Sequence, residues 1–150
     1  MPSSKKKSSR KPRQKQNPVA VSKNPRSTPS SVNSKNFRWN TENADLEGEY
    51  GWSKIELKAL LNEVIPRLQK YETMTWGEIE GKESHFIDVD NCSKEAQKRL
   101  KEIKLDDVEQ LFSLRIGSRK RIFGWRKEAI FYVLWWDPDH KIYLSKIKHT

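Results

Sequence analysis

Apolar positions are sparse before residue 37, recur at helical spacing between 57 and 71, and crowd into runs after Leu111. The last region reads as a strand meander, because apolar or alternating stretches are separated by short polar breaks. Leu114-Arg115-Ile116 stops at Gly117-Ser118, a turn signal, and Arg121 to Trp125 is the next strand. Arg126-Lys127-Glu128-Ala129 is the predicted hairpin loop. Ile130 to Trp136 is an unbroken apolar run of aromatic and β-branched residues, the pattern of a central strand covered on both faces. Asp137-Pro138-Asp139-His140 suits a tight turn, since Pro138 pre-sets its backbone. Ile142 and Leu144 then alternate with polar neighbours as a short last strand.

Upstream, Phe37-Arg38-Trp39 is a short first strand, and the acidic stretch from Asn40 to Gly51 reads as a connection. Ser53 and Glu56 have capping-box spacing and predict a helix whose buried stripe is Leu57, Leu60, Leu61, Val64, Leu68 and Tyr71. Pro66 lies inside that stripe and predicts a kink or break near Ile65. Thr75 with Glu78 is a second capping box, stopped at Gly81. Ser84 to Asp90 alternates weakly and reads as an extended connector. Ser93 caps a further helix with Ala96, Leu100 and Ile103 on one face, and a short turn starts at Asp106 or Asp107. The expected fold is α+β: a short N-terminal strand, then two or three helices packed on one face of a C-terminal antiparallel sheet. The other face, rich in arginine, is expected to be free for a ligand.

Charge sharpens this picture. Residues 1–40 carry eleven Lys/Arg and no acid, residues 41–110 carry ten bases against seventeen acids, and residues 111–150 carry nine bases against three acids. The net charge of +10 is therefore a basic leader, an acidic helical half and a basic sheet half. Residues 1–36 offer almost nothing to bury and read as a disordered basic tail, leaving one domain over 37–150. That tail suits a loose electrostatic hold on RNA or DNA, nuclear import through its Lys/Arg runs, or a solvated leader with no dedicated role. The single cysteine, Cys92, excludes an internal disulfide, and no Cys/His spacing suggests a zinc site. No apolar stretch approaches membrane-span length and no secretory h-region is present, so a soluble cytoplasmic protein with no membrane partner is expected. Cations interleaved with aromatics on strands make a surface for phosphates and stacked bases. The candidates are Arg119, Lys120, Trp125, Arg126, Lys141, Lys146 and Lys148.

The element order, with Leu114-Arg115, Gly117-Ser118, Arg121-Ile122-Phe123 and the apolar strand Phe131 to Trp135, resembles the RelE/ParE superfamily of bacterial toxins. The segments FSLRIG, RIFGWR and FYVLWWDPDHKIY are similar to a ParE-like subgroup with a tryptophan-rich LWWDP-H ending. The resemblance spans roughly 37–146 by element order and is specific over about 112–146. It implies a toxin of a type II toxin-antitoxin system, with a cognate antitoxin as partner. In the ribonuclease branch it implies metal-independent cleavage of mRNA, on the ribosome, with no cofactor. The family's strand arginines fall on Arg121 and Arg115, which would clamp the phosphate. Histidine is the side chain suited to acid/base work near neutral pH, so His140 is the first acid/base candidate, with Tyr143 second. The gyrase-poisoning branch has the same fold without that constellation, so a noncatalytic inhibitor or nucleic-acid-binding module is the alternative. Arg121 pairing with an acid, or His140 as a turn histidine, are the structural roles that compete with catalysis.

Overall fold

In the computed structural model, which describes residues 30–144, the meander forms and recruits a strand at each edge. The strands are β1 (Arg38–Asn40), β2 (His85–Asp88), β3 (Gln110–Arg115), β4 (Arg121–Lys127) and β5 (Ile130–Asp137). They lie in one sheet in the order β1-β5-β4-β3-β2. β1 runs parallel to β5 with Trp39 beside Phe131, and every other pairing is antiparallel. The sheet is thus mixed, not antiparallel throughout, and the expected connector at Ser84 to Asp90 supplies its other edge strand. The hairpin loop is shorter than expected. Only Glu128 and Ala129 turn, Glu128 at φ 59°, while Arg126 and Lys127 extend β4.

β5 lies between β1 and β4 and is buried on both faces from Val133 to Asp137, as its unbroken apolar run predicts, while Ile130 and Tyr132 are half-exposed. Opposite β4 it carries an extra residue: Phe123 faces Trp135 but Gly124 faces Val133, leaving Leu134 as a bulge. The bulge places Leu134 and Trp135 in the same hydrophobic cluster. It also drives the Tyr132 carbonyl onto Gly124, where a Cβ would sit 2.0 Å from that oxygen. Glycine is required there by the close approach of two backbones.

The helix over 57–71 is continuous but not uniform: α1 (Leu57–Ala59), a π-helical segment (Leu60–Val64) and α2 (Ile65–Tyr71). Pro66 has no N–H and its ring crowds the carbonyl four residues back, and the wider π turn, ending at Val64 beside the expected irregularity at Ile65, accommodates it without breaking the helix. The extra residue rotates the buried face. Val64, Leu68 and Tyr71 are buried, but Leu57 and Leu61, expected in the same stripe, are 68% and 55% exposed. The Ser53 capping box does not form either. Trp52–Lys54 is a 3-10 turn, and the helix starts from Glu56 with no side-chain cap. The second box is present: Thr75 and Glu78 satisfy each other's backbone donors ahead of α3 (Trp76–Ile79). Ser93 caps α4 (Lys94–Glu102), which buries Ala96 and Leu100.

Helices cover both faces of the sheet, contrary to the expectation of one free face. The 57–71 helix and α3 join Phe37, Phe112, Leu114, Ile122, Phe131 and Trp136 in one cluster. α4 joins Leu111, Phe123, Leu134, Trp135 and Ile142 in the other. A strand apolar on both faces demands two covers, and α4, inserted between β2 and β3, supplies the second.

The acidic connection is a strap rather than a loose loop. Asp45 N donates to Leu134 O at 2.9 Å and Trp136 N to Tyr50 O at 3.1 Å. The carboxylate of buried Asp45 accepts from Arg99 Nε and Nη2 at 2.9 Å each and from Trp135 Nε1 at 2.8 Å.

Ordered structure begins before Phe37. Ser30–Ser34 is a 3-10 turn with Val32 buried, so the end of the expected tail belongs to the folded body. The rest of that tail lies outside the described residues. At the other terminus, 141–144 form no strand: Ile142 is buried, donating to Asp137 Oδ2 at 2.8 Å and accepting from Ser93 N at 2.7 Å. The remainder of the expected last strand lies outside the described residues.

Candidate nucleic-acid interface

The β3–β4 connection is a tight turn, closed by Ile116 N donating to Lys120 O at 2.8 Å. It sets Arg115 and Arg121 directly opposite each other across the two strands. Side-chain alternation puts both on the face that α4 covers further along, the face of Leu111 and Phe123. Like charges directly opposed on one face repel. Burial first, and the neighbouring Arg115 second, push the Arg121 guanidinium below its ordinary value.

The structure also shows what holds these cations. Arg121 Nη1 donates to the carbonyls of Gly117, Ser118 and Lys120 at 2.9, 3.2 and 3.1 Å, so it pins the turn that carries it. Among the described residues its Nε and Nη2 have no hydrogen bond. Arg115 donates from Nε to Gly117 O at 3.2 Å and from Nη1 to Glu83 at 2.6 Å, and Glu83 is largely exposed. The Arg115 backbone is fixed on both sides: its carbonyl accepts from Tyr71 Oη at 2.6 Å and its N–H donates to Ser84 Oγ at 3.0 Å.

β5 ends beside this pair, with Asp137 opposite Arg121. Asp137 is 1% exposed and its two oxygens accept from Lys141 N at 3.0 Å and Ile142 N at 2.8 Å, which closes the Asp137–His140 turn. Arg119 Nη2 donates to Asp139 O at 3.4 Å and ties that turn to the β3–β4 turn. His140 sits half-buried at φ 60°, in the left-handed region where histidine is over-represented. Lys141 is exposed, and Lys120 is half-buried in an ion pair with Glu63. One end of the sheet therefore gathers Arg115, Arg119, Lys120, Arg121, His140 and Lys141.

The remaining predicted residues go elsewhere. Tyr143 packs edge-on against His85, ring centres 6.1 Å apart, on the β2 side of the same face. No hydrogen bond among the described residues links Tyr143 or His140 to Arg115 or Arg121. Trp125 lies at the far end of β4, half-buried and stacked on Tyr132. Arg126 is 5% exposed on the opposite face, with its guanidinium 5.0 Å from the Trp76 ring centre, 4.9 Å from that of Phe86 and 3.8 Å from Glu80. It is a buried cation–π centre and cannot meet a nucleic acid. Lys146 and Lys148 lie outside the described residues. His85 is the residue that sequence reasoning left out of the site. It pairs with Ser113, two residues along β3 from Arg115, and its only sequence signal is the weak alternation of Ser84 to Asp90.

A concavity of about 450 Å³ lies on the other face, lined by Trp39, Leu46, Trp52, Leu60, Val64 and Val133 among others. Its lining is largely apolar and reaches Ile122, next to Arg121 on β4 but on the opposite face of the sheet. Among the described residues, no group of three or more His, Cys, Asp or Glu is placed to hold a metal ion, and no helix is long and apolar enough to cross a membrane. Comparison with known proteins returns no match: no family model, no curated protein and no solved structure.

Proposed function

We propose that this chain is an RNA-binding, toxin-like protein that grips the phosphate backbone at the basic end of its sheet. The observation that carries the reading is the Arg115–Arg121 pair, two guanidinium groups opposed across β3 and β4 with further cations around them. The buried acid beside them, Asp137, spends both oxygens on backbone N–H groups. An anion set between two such cations removes their repulsion and gains charge-assisted hydrogen bonds. The order of strand, helices and closing meander supports the RelE/ParE-like reading. The parallel β1 and the second-face helix α4 are this chain's own departures from the antiparallel plan.

Cleavage is the reaction this grip would serve. The ribose 2′-oxygen attacks phosphorus and the P–O5′ bond breaks, leaving a 2′,3′-cyclic phosphate. A base takes the 2′ proton, an acid returns one to the 5′-oxygen, and the arginines stabilise the charge on phosphorus. His140, in the turn that Arg119 ties to the β3–β4 turn, is the first candidate for that task, with Tyr143 and His85 forming a second acid/base pair towards β2. A noncatalytic reading, in which the same end inhibits a target by binding alone, is favoured by one specific fact: both arginines already hold turn carbonyls. A cognate antitoxin would compete for the end with an acidic segment.

The deciding measurement is fluorescence-anisotropy binding of a single-stranded RNA over a range of salt, with 5′-end mapping of the recovered RNA. Arg115→Gln and Arg121→Gln should each weaken binding and flatten the salt dependence by about 0.7 in log–log slope for each phosphate no longer neutralised. Affinity indifferent to salt and to both substitutions refutes the reading. New RNA ends that vanish in His140→Ala or Tyr143→Phe establish cleavage. Binding without new ends establishes the noncatalytic form.

A further inference from the structure

The aromatic residues of β3, β4 and β5 divide sharply. Phe112, Phe123, Phe131, Trp135 and Trp136 are buried, while Trp125 and Tyr132 alone reach solvent. These two are register partners on β4 and β5, their rings 8° from parallel with centres 5.8 Å apart. Trp125 packs at the rim of the α4-side cluster, and Tyr132 belongs to neither cluster. Tyr132 is therefore left half-exposed at the surface beside Trp125.

The next row of the same face carries charge. Ile130 lies two residues from Tyr132, with Lys127 opposite it on β4 and Arg38 beside it on β1. That row is about 7 Å from the aromatic row, two residues of strand rise. Arg38 is exposed and Lys127 half-exposed; the one acid of the hairpin, Glu128, sits in the turn beyond them. Paired rings on a sheet face, with cations one row away, match the demands of an unpaired base followed by its phosphate.

We propose that the Trp125–Tyr132 pair is a base-stacking platform for single-stranded RNA, with Arg38 and Lys127 holding the adjoining phosphates. This rests on the RNA-binding reading above and adds to it a second contact, at the opposite end of β4 from Arg121. It restricts the ligand to strands with unstacked bases, because a duplex presents no free base face to a ring.

The test uses the full chain and two oligoribonucleotides of equal length, one complete and one with abasic positions. Stacking contributes about 1–3 kcal/mol per base, so the complete strand should bind roughly five- to 150-fold more tightly. Tyr132→Ala should remove that preference while leaving abasic binding intact. Tyr132→Leu, which keeps an apolar side chain, serves as the second variant should the alanine protein fail to fold. Lys127→Gln and Arg38→Gln should weaken both strands alike. Equal affinity for the two strands in the wild type, still sensitive to Arg121→Gln, overturns the platform and leaves the phosphate grip standing. A preference that survives both Tyr132 variants also overturns it. Failure of the wild type to bind either strand overturns both readings.

Discussion

Removing the Asp45 carboxylate tests whether the acidic connection is structural. Asp45 holds Arg99 in a two-pronged ion pair, accepts from Trp135 Nε1, and accepts from Glu47 N at 3.2 Å. The Asp45 side chain is 4% exposed and that of Arg99 22%, so water can partly replace the carboxylate for the guanidinium. Trp135 is fully buried and would keep an unsatisfied N–H. Breaking a buried pair costs about 3–5 kcal/mol, and the access of Arg99 to water moves the expected loss for Asp45→Ala to the lower half, about 3–4 kcal/mol. Asp45→Asn keeps an oxygen for Trp135 and turns an amide N–H₂ towards the guanidinium, for a loss of about 2 kcal/mol. Urea unfolding followed by tryptophan fluorescence measures both. The same bonds fix a pH dependence. Burial, the largest influence, would raise the Asp45 pKa, but the bonds from Arg99, Trp135 and Glu47 N–H outweigh it and lower it. Its stabilisation is therefore complete above the unfolded-state value of about 3.9 and is lost as pH falls through the lower folded-state value. A loss under about 1 kcal/mol for Asp45→Ala at pH 7, or no steeper acid unfolding in wild type than in the variant, refutes the reasoning.

Other substitutions probe separate features. Gly124→Ala forces a Cβ to 2.0 Å from a backbone carbonyl that cannot move without breaking β5, so a loss of about 3 kcal/mol or more, or no folded protein, is expected by circular dichroism and urea titration. Thr75→Ala should lose about 1 kcal/mol with its capping box, whereas Ser53→Ala should stay within about 0.5 kcal/mol in the same unfolding assay. Arg126→Met should be neutral or stabilising, because an apolar chain of similar length replaces a buried cation, and should leave RNA affinity unchanged in the anisotropy assay.

The meander was legible because hydrophobic period and turn residues agreed over Leu111 to Asp137. β2 was not, because a four-residue edge strand with weak alternation takes its identity from pairing with β3. Ser53-x-x-Glu56 and Thr75-x-x-Glu78 have equal motifs, yet only the second caps a helix. Trp52 N donates to Asp45 O at 2.9 Å and Ser53 N to Leu46 O at 3.1 Å, and these bonds hold 52–54 in a 3-10 turn before the helix can start. In the site, the facing of Arg115 and Arg121 follows from a hairpin of the expected length. The fates of Arg126 and His85 do not, since Trp76, Phe86 and Tyr143 reach them only through the tertiary fold. The sequence also hid the second cover: α4 was visible as a helix, but nothing in its spacing said which face of the sheet it would take.

The parallel pairing of β1 with β5 has a consequence for how the protein is made. Ninety residues separate Asp45 from the Trp135 indole it binds, and β1 waits as long for Ile130 to Tyr132. A ribosome releases the first strand and the strap long before their partner, while the Arg115–Arg121 hairpin can close as soon as both its strands emerge. β5 is also the shared wall of both hydrophobic clusters. A nascent chain stopped short of Ile130 thus has its cationic turn in place but neither cluster sealed, and the α4-side cluster is complete only when synthesis has passed Ile142.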